Sequence, residues 1–292
     1  MKKINFSIVT LLVIALTLVF ASCTKDGVYK PKKKISKIYE TVQTDPSPAK
    51  ILKEEWTWDG KLLSKIAYHD GGVANFTYDK KQLSSITNGD DRVDLTYDGN
   101  FIENIKVYHK GDLEMTYTFE HAKKLISGYT VEYNAAILNS DAEKCARLVE
   151  NVFRFILPEV STDAATEYMK VATSNLKGGS KYTVSMVYDG KNVSSKTIKY
   201  GDGTMEYTYT YTDYRNPYYG LLLDMDESTS KNAVATCVRT APNSPDYNYT
   251  YTYKADGKVP TQVTEKVTWT LSLGSTTTTH TETIVTDYEF VK

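Results

Sequence analysis

The chain has 292 residues, a formal charge of −1 and 24 tyrosines against 8 phenylalanines. That length allows one large sheet domain or two small ones, and a near-neutral balance without a clustered basic excess argues against a nucleic-acid binder. The tyrosine surplus points to a β protein whose sheet faces are half buried, each ring packed and each hydroxyl reaching water.

Lys2 and Lys3 precede an apolar run from Ile8 to Phe20, and Ala21-Ser22 closes it. This order reads as a secretion leader, and the run falls short of the about 20 apolar residues that a membrane span needs. Cys23 directly after the small pair resembles the lipobox of bacterial lipoproteins, which implies cleavage before Cys23 and acylation of that residue. Several acyl chains, each methylene contributing about 0.8 kcal/mol when buried, would hold the protein to a bilayer. Removing Lys2 and Lys3 takes the formal charge from −1 to −3. The expected organisation is a signal peptide over 1–22, a lipidated cysteine with a flexible basic linker over 23–34, and a single β-meander domain over 35–292.

From Ile35 to Tyr133 a loose repeat of about twenty residues recurs. Trp58-Asp59 is followed by Leu63 and Ile66, Tyr78-Asp79 by Leu83 and Ile86, and Tyr97-Asp98 by Ile102 and Ile105. Phe119-Glu120 with Leu125 is a drifted copy, and Tyr188-Asp189-Gly190 with Val193 another. An aromatic ending one strand, Asp-Gly supplying a tight turn and apolar residues entering the next strand together describe consecutive hairpins. Asp59-Gly60, Asp98-Gly99, Asp189-Gly190 and Asp256-Gly257 fit the turn role. About fifteen antiparallel strands are expected, with sequence neighbours adjacent in space.

Between Asn139 and Thr173 the apolar period changes. Cys145, Leu148, Val149, Val152, Phe153 and Ile156 have helical spacing, Ser140 and Glu143 form a capping box, and Pro158 ends the run. A second helix is expected near Ser161, with Ala165, Tyr168, Met169 and Ala172 facing inward. The fold class is therefore mainly β: a large antiparallel meander forming a barrel-like or strongly curled sheet, with a two-helix insertion at about 139–173 that covers one end or the inner face.

Further on, Tyr207 to Thr212 and Tyr247 to Tyr253 alternate strictly, with tyrosines on one face and small polar residues on the other. Cys145 and Cys237 remain after Cys23 is acylated. They are two buried thiols or a disulfide, which an oxidising compartment would permit. His69, His109, His121 and His280 are scattered, so no metal site or cofactor is expected. Asp224, Asp226 and Glu227 lack the glycine and distal glutamate of a calcium loop. Asp90-Asp91 is more simply a turn than a glycosidase pair, because adjacent strand residues point to opposite faces.

The hairpin units, the lipobox and Asn216-Pro217-Tyr218-Tyr219-Gly220-Leu221 followed by Ser230-Lys231-Asn232 together resemble a family of uncharacterised Bacteroidetes lipoproteins described as having a porin-like fold. The units are also similar to the YD repeats of secreted toxin shells. The resemblance implies a barrel-like meander anchored by lipid on Cys23, with no catalytic residue. The expected role is a non-enzymatic, outer-membrane-anchored module that binds or scaffolds a glycan or an envelope protein, as a monomer. Tyr214, Tyr218 and Tyr219 are the candidate binding rim. A carrier of a lipid-like molecule within the curl and a hydrolase with convergent carboxylates are the alternatives. Lys25-Asp26 partly resembles the acidic tag of surface lipoproteins, but Gly27 replaces the second acid, so the sequence leaves the periplasmic or outer side open.

Overall fold

The computed structural model describes residues 25–134, 181–200, 203–221, 229–242, 244–273 and 276–292. These hold sixteen strands. The first nine are β1 (Ile35–Val42), β2 (Ile51–Asp59), β3 (Leu62–Tyr68), β4 (Val73–Asp79), β5 (Gln82–Asn88), β6 (Asp91–Asp98), β7 (Phe101–His109), β8 (Asp112–Ala122) and β9 (Leu125–Tyr133). The remainder are β10 (Lys181–Asp189), β11 (Asn192–Tyr200), β12 (Gly203–Arg215), β13 (Asn232–Thr240), β14 (Tyr247–Asp256), β15 (Val259–Leu273) and β16 (Thr276–Phe290). Each pairs antiparallel with its sequence neighbours, and β1 closes on β16 through pairs such as Ile38 with Tyr288 and Val42 with Ile284. Closure removes the unpaired edges that an open sheet of this width would expose.

The repeat has a mechanical basis. Residues five and eight positions after the aromatic are three apart, which in a regular strand would send them to opposite faces. A bulge corrects this. Thr57 pairs with Lys65 and Trp58 with Leu63, so Ser64 is extruded and both Leu63 and Ile66 turn inward. The same step recurs at Ser84 on β5 and Ser194 on β11. In all three copies the serine hydroxyl donates to the carbonyl across the bulge, Ser64 to Thr57, Ser84 to Thr77 and Ser194 to Val187, at 3.0 to 3.1 Å.

The aromatic is a bolt. Pairing between successive hairpins stops short of the Asp-Gly end, at Lys65 with Asn75, Ser85 with Asp94 and Ser195 with Thr208. Three residues further, a ring spans the gap. Tyr78 donates to the Leu63 carbonyl (2.8 Å), Tyr97 to Leu83 (2.6 Å), Tyr188 to Ile126 (2.8 Å), Tyr211 to Val193 (2.6 Å) and Tyr253 to Val234 (2.6 Å). Trp58 does the same with its indole N–H to Ile35 (2.7 Å). Buried carbonyls left by the splayed strands thus keep partners. At the β7–β8 gap the ring is His121, which meets Asp26 Oδ2 at 2.9 Å while that carboxylate accepts from the Ile102 amide at 3.0 Å.

Asp26 belongs to a strap, residues 25–34, laid over this end. The Asp26 amide donates to Asn100 O, Gly27 O accepts from the Leu83 amide, and Tyr29 stacks on Trp58 at 5.8 Å while donating to Pro217 O at 2.6 Å. Gly27 has φ +69°, and a Cβ there would collide with the Tyr97 hydroxyl, so no other residue fits.

The expected fold class is corrected in its helical part. Of the two expected forms, barrel-like or strongly curled, the sheet is a closed all-β barrel, and the two-helix insertion is not seen, because no helix occurs among the described residues. The expected helices at 139–173 lie outside the described residues. β9 pairs directly with β10, from Glu132 with Lys181 to Gly128 with Ser185, so the meander is continuous where the insertion was expected to divide it. The early strands share one interior cluster: Leu63, Ile66, Ile86, Ile102, Ile105, Val131 and Val193 are at most 2% exposed.

Candidate functional site

The inner face changes character at β11. Ile66, Ile86 and Ile105 hold the position eight residues after the aromatic in the early copies; in the Tyr188 copy that position is Lys196, 2% exposed. Lys196 begins a row. It pairs with Tyr207, which pairs with Arg239, then Tyr247, Trp269 and His280 in unbroken register from β11 to β16. Directly opposed residues in antiparallel strands stand about 5 Å apart, so flat side chains in one row stack. Tyr247 lies on Trp269 at 5.5 Å and Trp269 on His280 at 5.3 Å, each pair within 14° of parallel. Lys196 Nζ sits 4.0 Å from the Tyr207 ring centre and the Arg239 guanidinium 3.9 Å from that of Tyr247.

Arg239 is the electrostatic anomaly. It is 3% exposed, and its Nη2 donates to Ser244 Oγ at 3.3 Å. Among the described residues its Nε has no hydrogen-bond partner and no carboxylate forms an ion pair with it. Burying a charge without a counter-ion is costly, and the ring under it offsets about 2 kcal/mol. Burial pushes the phenol of neighbouring Tyr249 well above the ordinary tyrosine range, with Arg239 acting in the opposite direction. A guanidinium among stacked rings is suited to receive a carboxylate, which it binds through two parallel N–H donors.

The candidate rim residues are buried or half-buried. Tyr218 is 3% exposed and packs on Trp56 (6.3 Å) and Tyr288 (6.1 Å). Tyr214 is half-buried against Tyr253 at 5.6 Å, and half-buried Tyr219 donates its amide to Asn216 O. The Asn216 to Asn232 motif is a clamp: Asn216 Oδ1 accepts from the Tyr218 amide, its Nδ2 donates to Ser230 O, and buried Ser230 Oγ accepts from the Val193 amide. Cys237 is buried with Tyr249 and Val267. Cys23 and Cys145 lie outside the described residues, as do Asp224, Asp226 and Glu227. Asp91 Oδ1 meets His109 Nδ1 at 2.6 Å, and among the described residues no group of three or more His, Cys, Asp or Glu could hold a metal. Lys196 and Arg239 were missed. The signal was present, in a lysine replacing isoleucine in the repeat and an arginine at an inward position after Cys237.

The closed meander, with its strap laid across one end, is an antiparallel barrel of sixteen strands among the described residues. The fold is similar to that of a solved porin-like protein from Bacteroides uniformis, with a TM-score of 0.50 and 12% identity over 90% of this chain and 100% of that one. No family model matches, and no curated protein matches.

Proposed function

We propose that this protein is a non-enzymatic, lipid-tethered binding module of the outer membrane, whose barrel stands in water and takes an acidic glycan along the row centred on Arg239. The carrying observation is the polarity of the wall. A membrane-spanning barrel shows lipid an apolar band about 25 Å tall. Here the outward positions of β2, β4, β10, β12 and β14 include Lys53, Glu55, Thr57, Asn75, Thr77, Ser185, Thr208 and Thr250, all exposed, while most of the apolar residues are buried inside. The large exposed hydrophobic residues are scattered, as Ile51, Val187, Val238, Leu271 and Val291. Such a wall suits water, which makes the acyl groups on Cys23 the means of attachment. The row supplies ring surface for sugar faces and a buried cation for an acid group.

Calorimetric titration with an oligogalacturonate and its methyl ester tests the ligand class. The free acid should bind and the ester bind at least about tenfold more weakly, and Arg239→Gln should erase that preference, as expected for losing a charged hydrogen bond. Equal binding of acid and ester, or an unaltered preference in the variant, rejects the reading. Intact mass of the mature protein tests the tether through the acylated Cys23.

A further inference from the structure

Among the described residues, the two ends of the barrel differ in charge. At the strap end, residues 25–34 carry five lysines and one acid, Asp26. The six hairpin turns of that end carry Lys61, Lys80-Lys81, Lys123-Lys124, Lys191 and Lys258, against Asp59, Asp79, Asp98, Asp189 and Asp256. All seven of these lysines are exposed. Within the strap, Lys33 pairs with Asp256 and Lys34 donates to Gly60 O, so the strap is also tied to the turns. Among the described residues of the opposite end, the turns and adjoining strand starts carry Asp45, Asp70, Asp90, Asp91, Asp112 and Asp246 against Lys50, Lys110 and Lys181.

Backbone conformation marks the same lysines. Among the described residues five non-glycine residues have positive φ, all lysines, and four of them are Lys80, Lys81, Lys123 and Lys124 of the strap end. Glycine or asparagine is the ordinary choice there, and a residue with a Cβ costs about 1 kcal/mol or more. Unfavourable backbone retained in four positions of one surface points to a use for the charge.

We infer that the strap end is a membrane-facing surface, its lysines docked on the anionic head groups of the bilayer that holds the lipid. The inference rests on the acylation of Cys23 for its orientation. Asp26 is fixed to Asn100, Ile102, Gln82 and His121. Cys23 precedes it by three residues, a reach of at most about 10 Å. The acylated residue cannot stand far from the turns. Exposed charges interact across about 8 Å at physiological ionic strength, so a ring held that close feels the head groups directly. The acidic end then points away from the bilayer, and the barrel stands with a fixed pose in place of swinging on a long leash.

The test separates docking from lipidation. Full-length mature chain with Cys23→Ser is mixed with phosphatidylcholine vesicles containing or lacking phosphatidylglycerol, and the bound fraction is read by flotation. Binding to the anionic vesicles alone, lost in high salt and reduced at least about tenfold by K61E/K81E/K124E/K191E, is the expected result, since each lysine near such a surface contributes measurably. The acidic-end control D70N/D90N should bind no less than the parent. Equal binding to both vesicle types, or an unaltered bound fraction in the quadruple variant with its circular dichroism intact, overturns the surface. Because the protein here has no acyl group, these outcomes are independent of whether native Cys23 is modified, which the intact mass reads separately.

Discussion

β1 to β11 and β12 to β16 are built from the same hairpins and the same ring-to-carbonyl bolts, yet they use the inner face differently. Strands of the first region are 7 to 11 residues long, and bulges bring two apolar residues per hairpin inward to a contiguous core. Strands of the second region reach 15 residues, and their inner face is a file of tyrosines with Arg239, with Cys237, Tyr249 and Val267 as the small buried cluster. The difference teaches that one repeat builds an apolar core where its eighth position is isoleucine and admits a buried cation at Lys196 on β11, where the two regions meet. The largest expected effect follows directly. Ile66→Ala or Ile102→Ala, at 0% and 1% exposure, should cost about 2–5 kcal/mol, read as a lower urea midpoint with unchanged slope. Val267→Ala should cost about half as much, because its cluster is small and a smaller side chain is removed. Equal losses would break the comparison.

The bolts are the shared device, and alkaline titration examines them. Burial, before any other cause, pushes the Tyr188 phenol up to about 12, and the bolts Tyr78 and Tyr97 are raised the same way, as is Tyr249 outside the bolts. An unfolded tyrosine ionises near about 10. Below that pH both states keep the proton and stability is complete. Above it the unfolded chain releases its protons first, so stability falls as pH rises towards the folded values, by about 3 kcal/mol for Tyr188 alone. Denaturant midpoints through this range should drop while tyrosinate absorbance lags behind that of free tyrosine. Tyr97→Phe should cost about 1–2 kcal/mol, since it leaves the Leu83 carbonyl unmet. Tyr211→Phe, the equivalent in the second region, should cost the same. A bolt that matters in one region alone would show that the repeat is not mechanically uniform.

Much of this architecture was legible because it is local. The aromatic-turn-apolar unit predicts the hairpins, and Asp-Gly marks their ends, although Gly60, Gly99, Gly190 and Gly257 supply the positive φ while the aspartates remain in the strands. The offsets of five and eight were visible without their cause, since a bulge is a property of the pair of strands and not of one. Barrel closure was not legible, because nothing in β1 or β16 names its partner. From its lysines the strap reads as a flexible basic linker, while Asp26, Gly27 and Tyr29 act through residues up to 188 positions away. Tyr218 illustrates the converse error: a tyrosine-rich stretch suggests an exposed rim, but chain reversal at Gly220 folds that ring onto Trp56.

The smallest effect is read at the strap-end turns. Two reversals of the first region use Lys80-Lys81 and Lys123-Lys124, with φ between 47° and 78°, whereas those after β2, β10 and β14 use Gly60-Lys61, Gly190-Lys191 and Gly257-Lys258, where glycine alone is left-handed. Replacing Lys80-Lys81 by Asn-Gly removes two strained conformations and installs the pair that such two-residue hairpin loops favour. The variant should therefore be more stable, by about 1 kcal/mol, read from its thermal midpoint. The same variant should bind anionic vesicles less well than the parent, since two lysines leave the membrane-facing ring. Lys110→Asn, at the opposite end and with φ 51°, should give a stability gain of similar sign without altering vesicle binding. Stability and docking then move in opposite directions at one end and independently at the other, a divergence that a merely tolerated turn sequence would not produce.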